Sequence, residues 1–260
     1  MTALWQRIET SIGILPISKK LYIRPILRIA AAASIILLIG LGSIYKLNQV
    51  NIVAPLAERI TCTMPDGSII DLNAAGKISY NKLVWKIKRN LSLKGEAFFK
   101  VAKGEEFTVH CPTASVSVLG TSFNIYAQRD YFRTECYTGR VKVKVPREKF
   151  EKIIVPNEAV TAGINQKAKW TKLENTKSIP AWFAGEFYYD KIPFSLVLQE
   201  IENQFKVKFE SKEFNENLLF TGYFNTKDLK KALEFVLVPM GYQYKINNNQ
   251  IKIQKISTEN

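Results

Sequence analysis

From Ile29 to Tyr45 the chain reads IAAAASIILLIGLGSIY, seventeen consecutive residues without a charge. At 1.5 Å per residue, a helix of that length reaches roughly 26 Å, close to the hydrocarbon thickness of a bilayer. Ile26 and Leu27 extend it, with the Arg28 side chain reaching back to the interface, so the sequence predicts a single transmembrane helix over residues 26–46. No polar face is left for water, which separates this segment from the amphipathic helices of soluble proteins. A cleaved signal peptide is the competing reading. The long basic leader, the length of the apolar run and the lack of an A-x-A site after it favour an anchor. Arg7, Lys19, Lys20, Arg24 and Arg28 all precede the span, which by the positive-inside rule holds the N-terminus in the cytoplasm and sends the remainder across the membrane.

That topology decides how the charge is read. The chain has 260 residues and a formal charge of +14, unevenly spread: 21 Lys/Arg against 12 Asp/Glu over residues 47–178, and ten against ten over 179–260. A basic excess fits nucleic acid, acidic lipid or an acidic protein. Basic strands outside the cytoplasm argue against nucleic acid. Lys94, Lys100 and Lys103 are either a solvated face or a patch for an acidic partner. Cys62, Cys111 and Cys136 lack CxxC spacing, so neither a zinc site nor a disulfide framework is indicated. Cys111 and Cys136 fall in alternating segments and read as small buried strand residues. His110 is the one histidine, and Asp66 and Asp71 have no evident acid/base partner. No catalytic residue, metal ligand or cofactor site is predicted, and the chain reads as a non-enzyme.

After the span, a short linker holding Pro55 leads into an all-β domain over residues 56–165, whose segments alternate apolar and polar residues between turn signals. In VKVKV, Val141, Val143 and Val145 share one face and Lys142 and Lys144 the other. Pro65-Asp66-Gly67 has the composition of a tight turn, with Asp66 and Gly67 its structural residues. In SVSVLGTSFNIYA, Val116 and Val118 share a face, as do Phe123, Ile125 and Ala127, and Gly120 interrupts the alternation. A glycine there permits a bulge or corner, so its role is architectural, and Thr121, Ser122 and Asn124 read as satisfying local backbone groups.

Residues 166–181 read as a linker, and residues 182–256 change character. GEFYYD is strand-like, PFSLVLQEIENQF is helical with Pro193 at its first turn, and KVKFES returns to strand. A second round follows: LFTGYFN, then TKDLKKALEFVLVPMG with Thr226 as N-cap and Gly241 as terminator, then YQYKIN and QIKIQK. A shift of 35 places Phe194 on Leu229, Leu198 on Leu233, Ile201 on Val236, Phe205 on Met240, Val207 on Tyr242 and Phe209 on Tyr244. This predicts a duplicated βαβ unit with helices on one sheet face and a strand edge open to a partner. The fold class is therefore mainly β plus α+β, behind a single transmembrane helix.

MPDGSIIDLNAAGKISY, GEAFFKVA, FTVHC, VSVLGTSFNIYA, YTGRVKV and WFAGEFYYDKIPFSLVLQEIENQFKVKFE, in that order, resemble the FecR family of transmembrane anti-sigma regulators, in the form common among Bacteroidetes. The resemblance implies a β-solenoid-like FecR domain, followed by one similar to the secretin and TonB short N-terminal domain. It implies an inner-membrane, single-pass protein whose periplasmic C-terminal region meets the signalling domain of an outer-membrane TonB-dependent receptor. The signal then passes through the anchor to a cytoplasmic ECF sigma factor, with an intramembrane protease as a further partner. Similar proteins carry several dozen helical residues before the anchor. Residues 1–25 would then be a short cytoplasmic tail, a truncated sigma-binding region with Trp5, Ile8 and Ile12 facing sigma. The receptor-contact candidates are Phe187, Tyr188 and Tyr189 in the first C-terminal strand and Tyr223 and Phe224 in its repeat, with core packing the alternative for Phe187 and Tyr189. A secreted carbohydrate- or cell-wall-binding module is the alternative reading of the β-rich, aromatic sequence.

Overall fold

The computed structural model describes residues 23–163, 166–174, 178–210 and 218–256. It divides into two units, one ending at Leu47 and one beginning at Asn48. The first contributes helix α1 (Ile23–Leu47), whose stretch from Leu27 to Leu47 has a mean hydropathy of 2.1 and no side chain buried by protein. Its 21 residues rise about 32 Å, long and apolar enough to cross a bilayer. The Ser34 hydroxyl, near its middle, is satisfied by donating to the Ala30 carbonyl at 2.8 Å.

The second unit opens with β1 (Gln49–Val53), one residue after α1 ends, so part of the expected linker is strand. The strands that follow are β2 (Ile60–Thr63), β3 (Ile69–Leu72), β4 (Lys77–Asn81), β5 (Arg89–Lys100), β6 (Phe107–His110), β7 (Ser115–Val118), β8 (Ser122–Gln128), β9 (Tyr131–Cys136), β10 (Val141–Val145), β11 (Phe150–Ile154), β12 (Glu158–Gly163) and β13 (Gln166–Lys172). A four-residue helix, α2 (Lys82–Trp85), follows β4, with the Asn81 side chain accepting from the Leu83 and Val84 amides. Its buried Trp85 packs edge-on against Tyr80 and Phe107.

One long strand joins two sheets. The first half of β5 lies between β4 and β6, in the order β1-β4-β5-β6-β7-β10-β11. Its second half lies between β3 and β8, in the order β2-β3-β5-β8-β9-β12-β13. The switch falls at Gly95, which has φ +97°, and a β-carbon there would sit 2.8 Å from the Gly76 Cα. The inner faces share one core that includes Leu91, Phe99, Phe107, Phe123, Ile125 and Val143, with Phe99 and Phe123 stacked at 4.8 Å. The parallel pairing that a solenoid requires occurs in this domain at β5·β6, and the other described pairs are antiparallel.

Gly120 stands where the chain leaves β7 in one sheet for β8 in the other, with φ +154°. A β-carbon there would meet the Lys103 Cα at 2.9 Å, so the glycine serves a close backbone crossing. Asp66 and Gly67 form the expected turn, Gly67 at φ +83° and Asp66 accepting from the Ser68 amide and hydroxyl. Asp66 also pairs with Arg89 at 2.8 Å. Residues 166–172, expected within the linker, form β13, because they pair with β12 over Glu158–Gly163.

The C-terminal part comprises β14 (Glu186–Pro193), α3 (Phe194–Phe205), β15 (Lys208–Phe209), β16 (Leu219–Asn225), α4 (Leu229–Leu237), β17 (Tyr242–Asn247) and β18 (Gln250–Lys255). β14 pairs antiparallel with β16, while β18 lies between β15 and β17. Phe194, Leu198 and Ile201 of α3 and Leu233 and Val236 of α4 are buried in one core, so both apolar stripes point where the 3.6-residue period puts them. Two caps differ from expectation. Pro193 is the N-cap residue and not the first helical one, and α4 is capped by Asp228, which accepts from the Lys230 and Lys231 amides, not by Thr226. The Thr226 backbone is instead engaged with the Gly185 carbonyl. Gly241, at φ +79°, ends the 3-10 turn after α4.

Candidate functional site

Part of the outer face of the second sheet is covered by protein. Strand alternation turns Ala97 and Phe99 into the sandwich and Glu96 and Phe98 out of it, and Phe98 is nonetheless 1% exposed. It lies in the C-terminal core with Trp182, Phe187 and Phe194, edge-on to Tyr137 and Phe183 at 5.3 and 5.6 Å. The β domain and the C-terminal domain are thus joined through a common apolar seam, consistent with residues 48–260 forming one unit.

Buried polar groups cross this seam. Glu96 accepts from the amide nitrogens of Asn73 (2.9 Å) and Asn124 (2.8 Å). The Gln204 amide of α3 donates to Asn73 Oδ1 at 3.0 Å and to Glu200 Oε1 at 2.8 Å. The Trp182 indole donates to Asn124 Oδ1 at 3.2 Å. Asn124 is therefore a seam residue and not, as expected, a local corner group. Around the network, the Ala57 amide donates to the Asn203 carbonyl at 2.7 Å, Lys206 approaches Glu58 at 3.4 Å, and the Arg59 guanidinium lies 4.4 Å over the Phe183 ring. These contacts lock α3 and the 3-10 turn Ala181–Ala184 onto the β domain.

Among the described residues, neither carboxyl forms an ion pair with a cation. Desolvation, followed by the charge of Glu200, pushes Glu96 up to about 8, with the bonds from Asn124 and Asn73 opposing. Glu96 keeps some surface in the cleft, but protein atoms crowd its carboxyl. Glu200 is 4% exposed, and burial pushes it up to about 7 against the bonds from Gln204 and Asn203. Tyr126 and Tyr189 rise well above the usual phenol value, from burial first and then from Glu200. Both hydroxyls are enclosed and make no hydrogen bond among the described residues. The arrangement is a polar lock whose charge changes near neutral pH. Above it opens a cleft of about 710 Å³, lined by Tyr126, Arg133, Tyr137, Trp182, Tyr188 and Tyr223 among others.

The receptor-contact candidates divide by strand alternation. Tyr188 and Tyr223, directly opposite in the β14·β16 pair, are 63% and 43% exposed and stack at 5.9 Å. Phe235 of α4 extends this outward aromatic row, 5.4 Å from Tyr223. Phe187 and Phe224 face the other way, stacked at 4.9 Å in the core, so Phe224 is corrected from surface to core. Tyr189 is half-buried with its hydroxyl enclosed. Trp5, Ile8 and Ile12 lie outside the described residues. Cys62, Cys111 and Cys136 are free thiols, and burial raises the pKa of all three. Among the described residues, no three His, Cys, Asp or Glu side chains are arranged to hold a metal.

Glu96, Phe98, Trp182, Glu200 and Gln204 escaped the sequence reading, and Asn124 was given only a local role. One signal was present: consecutive apolar residues in AFF mark a strand buried on both faces. Glu200, between the buried Leu198 and Ile201, gave none.

The family description "FecR protein" matches residues 51–142, and "FecR, C-terminal" matches residues 186–253. Two crystal structures of a protein assigned as an anti-sigma factor from Parabacteroides distasonis ATCC 8503 superpose on this chain with TM-scores of 0.70 and 0.69. Each is 26% identical and covers 80% of this chain and 100% of its own. No curated protein matches the sequence.

Proposed function

Because this chain belongs to the FecR family, whose two matches together cover more than half of its length, we propose that it is a membrane-anchored anti-sigma factor working as a transmembrane sensor. The observation that carries this reading is the seam: the FecR and FecR C-terminal regions form one locked unit, whose first strand starts one residue after an apolar helix of bilayer length. A signal received on the C-terminal domain can therefore reach β1, which follows α1 in the chain, through the seam and the sheets. It can change the output only by favouring one state of the unit over another, for example by loosening the Glu96–Glu200 network.

In finer terms, the anchor spans the inner membrane with its N-terminus in the cytoplasm, and the unit beyond it is periplasmic. Its stimulus is the signalling domain of a TonB-dependent receptor, received on the aromatic row of Tyr188 and Tyr223 and the adjoining strand edges. The output is control of an ECF sigma factor, with an intramembrane protease cutting the regulator on the way. The two βαβ units are copies of one ancestor, a reading supported by the mutual pairing of β14 and β16 and the common core of α3 and α4.

The test is calorimetry of the full chain in nanodiscs with the signalling domain of a receptor encoded beside it. Saturable binding, weakened at least ten-fold in Tyr188→Ala/Tyr223→Ala with unchanged melting temperature, is the expected result. Binding indifferent to both tyrosines, or no heat at all, would refute the assigned surface. The tyrosine-lined cleft also favours a second reading, recognition of a carbohydrate, which a glycan array probed with the full chain would reveal.

A further inference from the structure

Residues 82–88 take no part in the seam, yet they carry an exposed apolar pair that the fold leaves uncovered. Ile87 is 83% exposed and Leu83 43% exposed, flanked by the exposed side chains of Lys82, Lys86 and Lys88. Among the described residues these lysines form no ion pair, and no acidic residue occurs between Asp71 and Glu96. The nearby Arg89 is already engaged by Asp66. A single exposed isoleucine is ordinary on a soluble surface. Its place in the fold makes this one unusual.

The Lys82 amide donates to the Asn48 carbonyl at 3.0 Å, and Gln49 is paired with Asn81, the residue that caps α2. Asn48 follows Leu47, the last residue of α1, and adjoining Cα atoms are about 3.8 Å apart. Whatever angle α1 takes, the chain leaves its apolar helix within a few ångströms of α2. If α1 spans a bilayer, the surface around Asn48 therefore lies at the headgroup level. There an isoleucine between two lysines has a natural arrangement: apolar atoms in the acyl boundary, ammonium groups among the phosphates. Each lysine near an anionic surface contributes a preference of roughly five-fold.

We propose that α2 and the turn after it, Leu83 and Ile87 with Lys82, Lys86 and Lys88, form a foot that docks on the anionic lipid surface from which α1 emerges. The proposal rests on the reading of α1 as a membrane span. The foot seats the first sheet through β1 and β4, a second attachment beside the covalent one.

Depth-dependent quenching tests it with the full chain in vesicles of phosphatidylglycerol and phosphatidylcholine whose acyl chains are brominated near the headgroup. Three single variants each add one tryptophan, read against the parent protein to subtract its four native tryptophans. Ile87→Trp probes the foot. Ile153→Trp, 56% exposed on β11 at the opposite edge of the sheet from β1, is the distant control. Leu38→Trp probes the span, in matching vesicles whose lipids are brominated near the acyl-chain ends, since Leu38 lies near the middle of the apolar stretch. At least three-fold more quenching at position 87 than at 153, lost in Lys82→Glu/Lys86→Glu/Lys88→Glu and reduced in pure phosphatidylcholine, is expected. Equal quenching at 87 and 153, with Leu38→Trp strongly quenched, overturns the foot and leaves the span standing. An unquenched Leu38→Trp overturns the membrane reading itself.

Discussion

Glu200→Gln turns the polar lock into a measurement. In the folded protein the Glu200 carboxyl titrates near 7, against an ordinary value of 4.5, because burial disfavours its charged form. An acid whose folded pKa is raised leaves the native state holding more protons than the unfolded chain, so stability falls as pH rises. The loss begins near 4.5, where the unfolded chain ionises, and is complete above about 7, where the native carboxyl ionises too. The difference corresponds to roughly 3 kcal/mol, at about 1.4 kcal/mol for each pH unit. Glutamine carries no proton to lose and keeps an oxygen for the Gln204 amide. The variant's advantage over the parent should be below about 1 kcal/mol at pH 5 and rise to about 3 kcal/mol at pH 8.5, the latter roughly 6–12 °C for a unit of this size. Removing the Glu200 charge also relieves Glu96, which it otherwise pushes upward, adding to the gain at high pH. Calorimetric melting of the full chain in detergent at both pH values reads the effect. Any constant packing cost of the amide shifts both curves equally and cancels in the comparison. A melting-temperature difference between variant and parent that is the same at pH 5 and pH 8.5 would refute the assignment of an uncompensated buried carboxyl.

Other expectations follow from single positions. Phe98→Ala should cost about 3–5 kcal/mol by leaving a cavity in the seam, with hydrogen exchange rising first in α3 and β14 if the seam opens as a unit. Gly95→Ala should cost at least about 2 kcal/mol in a denaturant titration, since its β-carbon would meet Gly76 where the backbone already has positive φ. Asp228→Ala should remove about 1 kcal/mol by uncapping α4, whereas Thr226→Ala should leave the cap intact.

Local chemistry made much of the fold legible. The Val141, Val143 and Val145 alternation appears as β10 with all three buried, and Phe194, Leu198 and Ile201 enter the core as a helical stripe should. Gly120 and Gly67 stand at the corner and turn that their sequence context suggested. The misses share a cause. Alternation says which residues share a face and leaves open what covers that face, so AFF signalled burial at Phe98 without naming the C-terminal domain as its cover, and Asn124 read as a local corner group. Thr226 and Asp228 are both good capping residues, and only the point at which the backbone turns helical chooses between them. β13 belongs to the fold because β12 is there to pair with it, a contact that composition does not encode.

By itself, the sequence determined an apolar helix of bilayer length, strands of period two and two amphipathic helices, because hydrophobicity and backbone preference act within a few residues of one another. The tertiary structure alone decided that Phe98 on the outer face of the second sheet is covered by the C-terminal domain, that Glu96 and Glu200 join one hydrogen-bonded network, and that the Lys82 amide meets the Asn48 carbonyl. Each of these depends on residues far apart in the chain meeting across a seam or a strand pair, where desolvation and register are set by the partner and not by the neighbours in sequence.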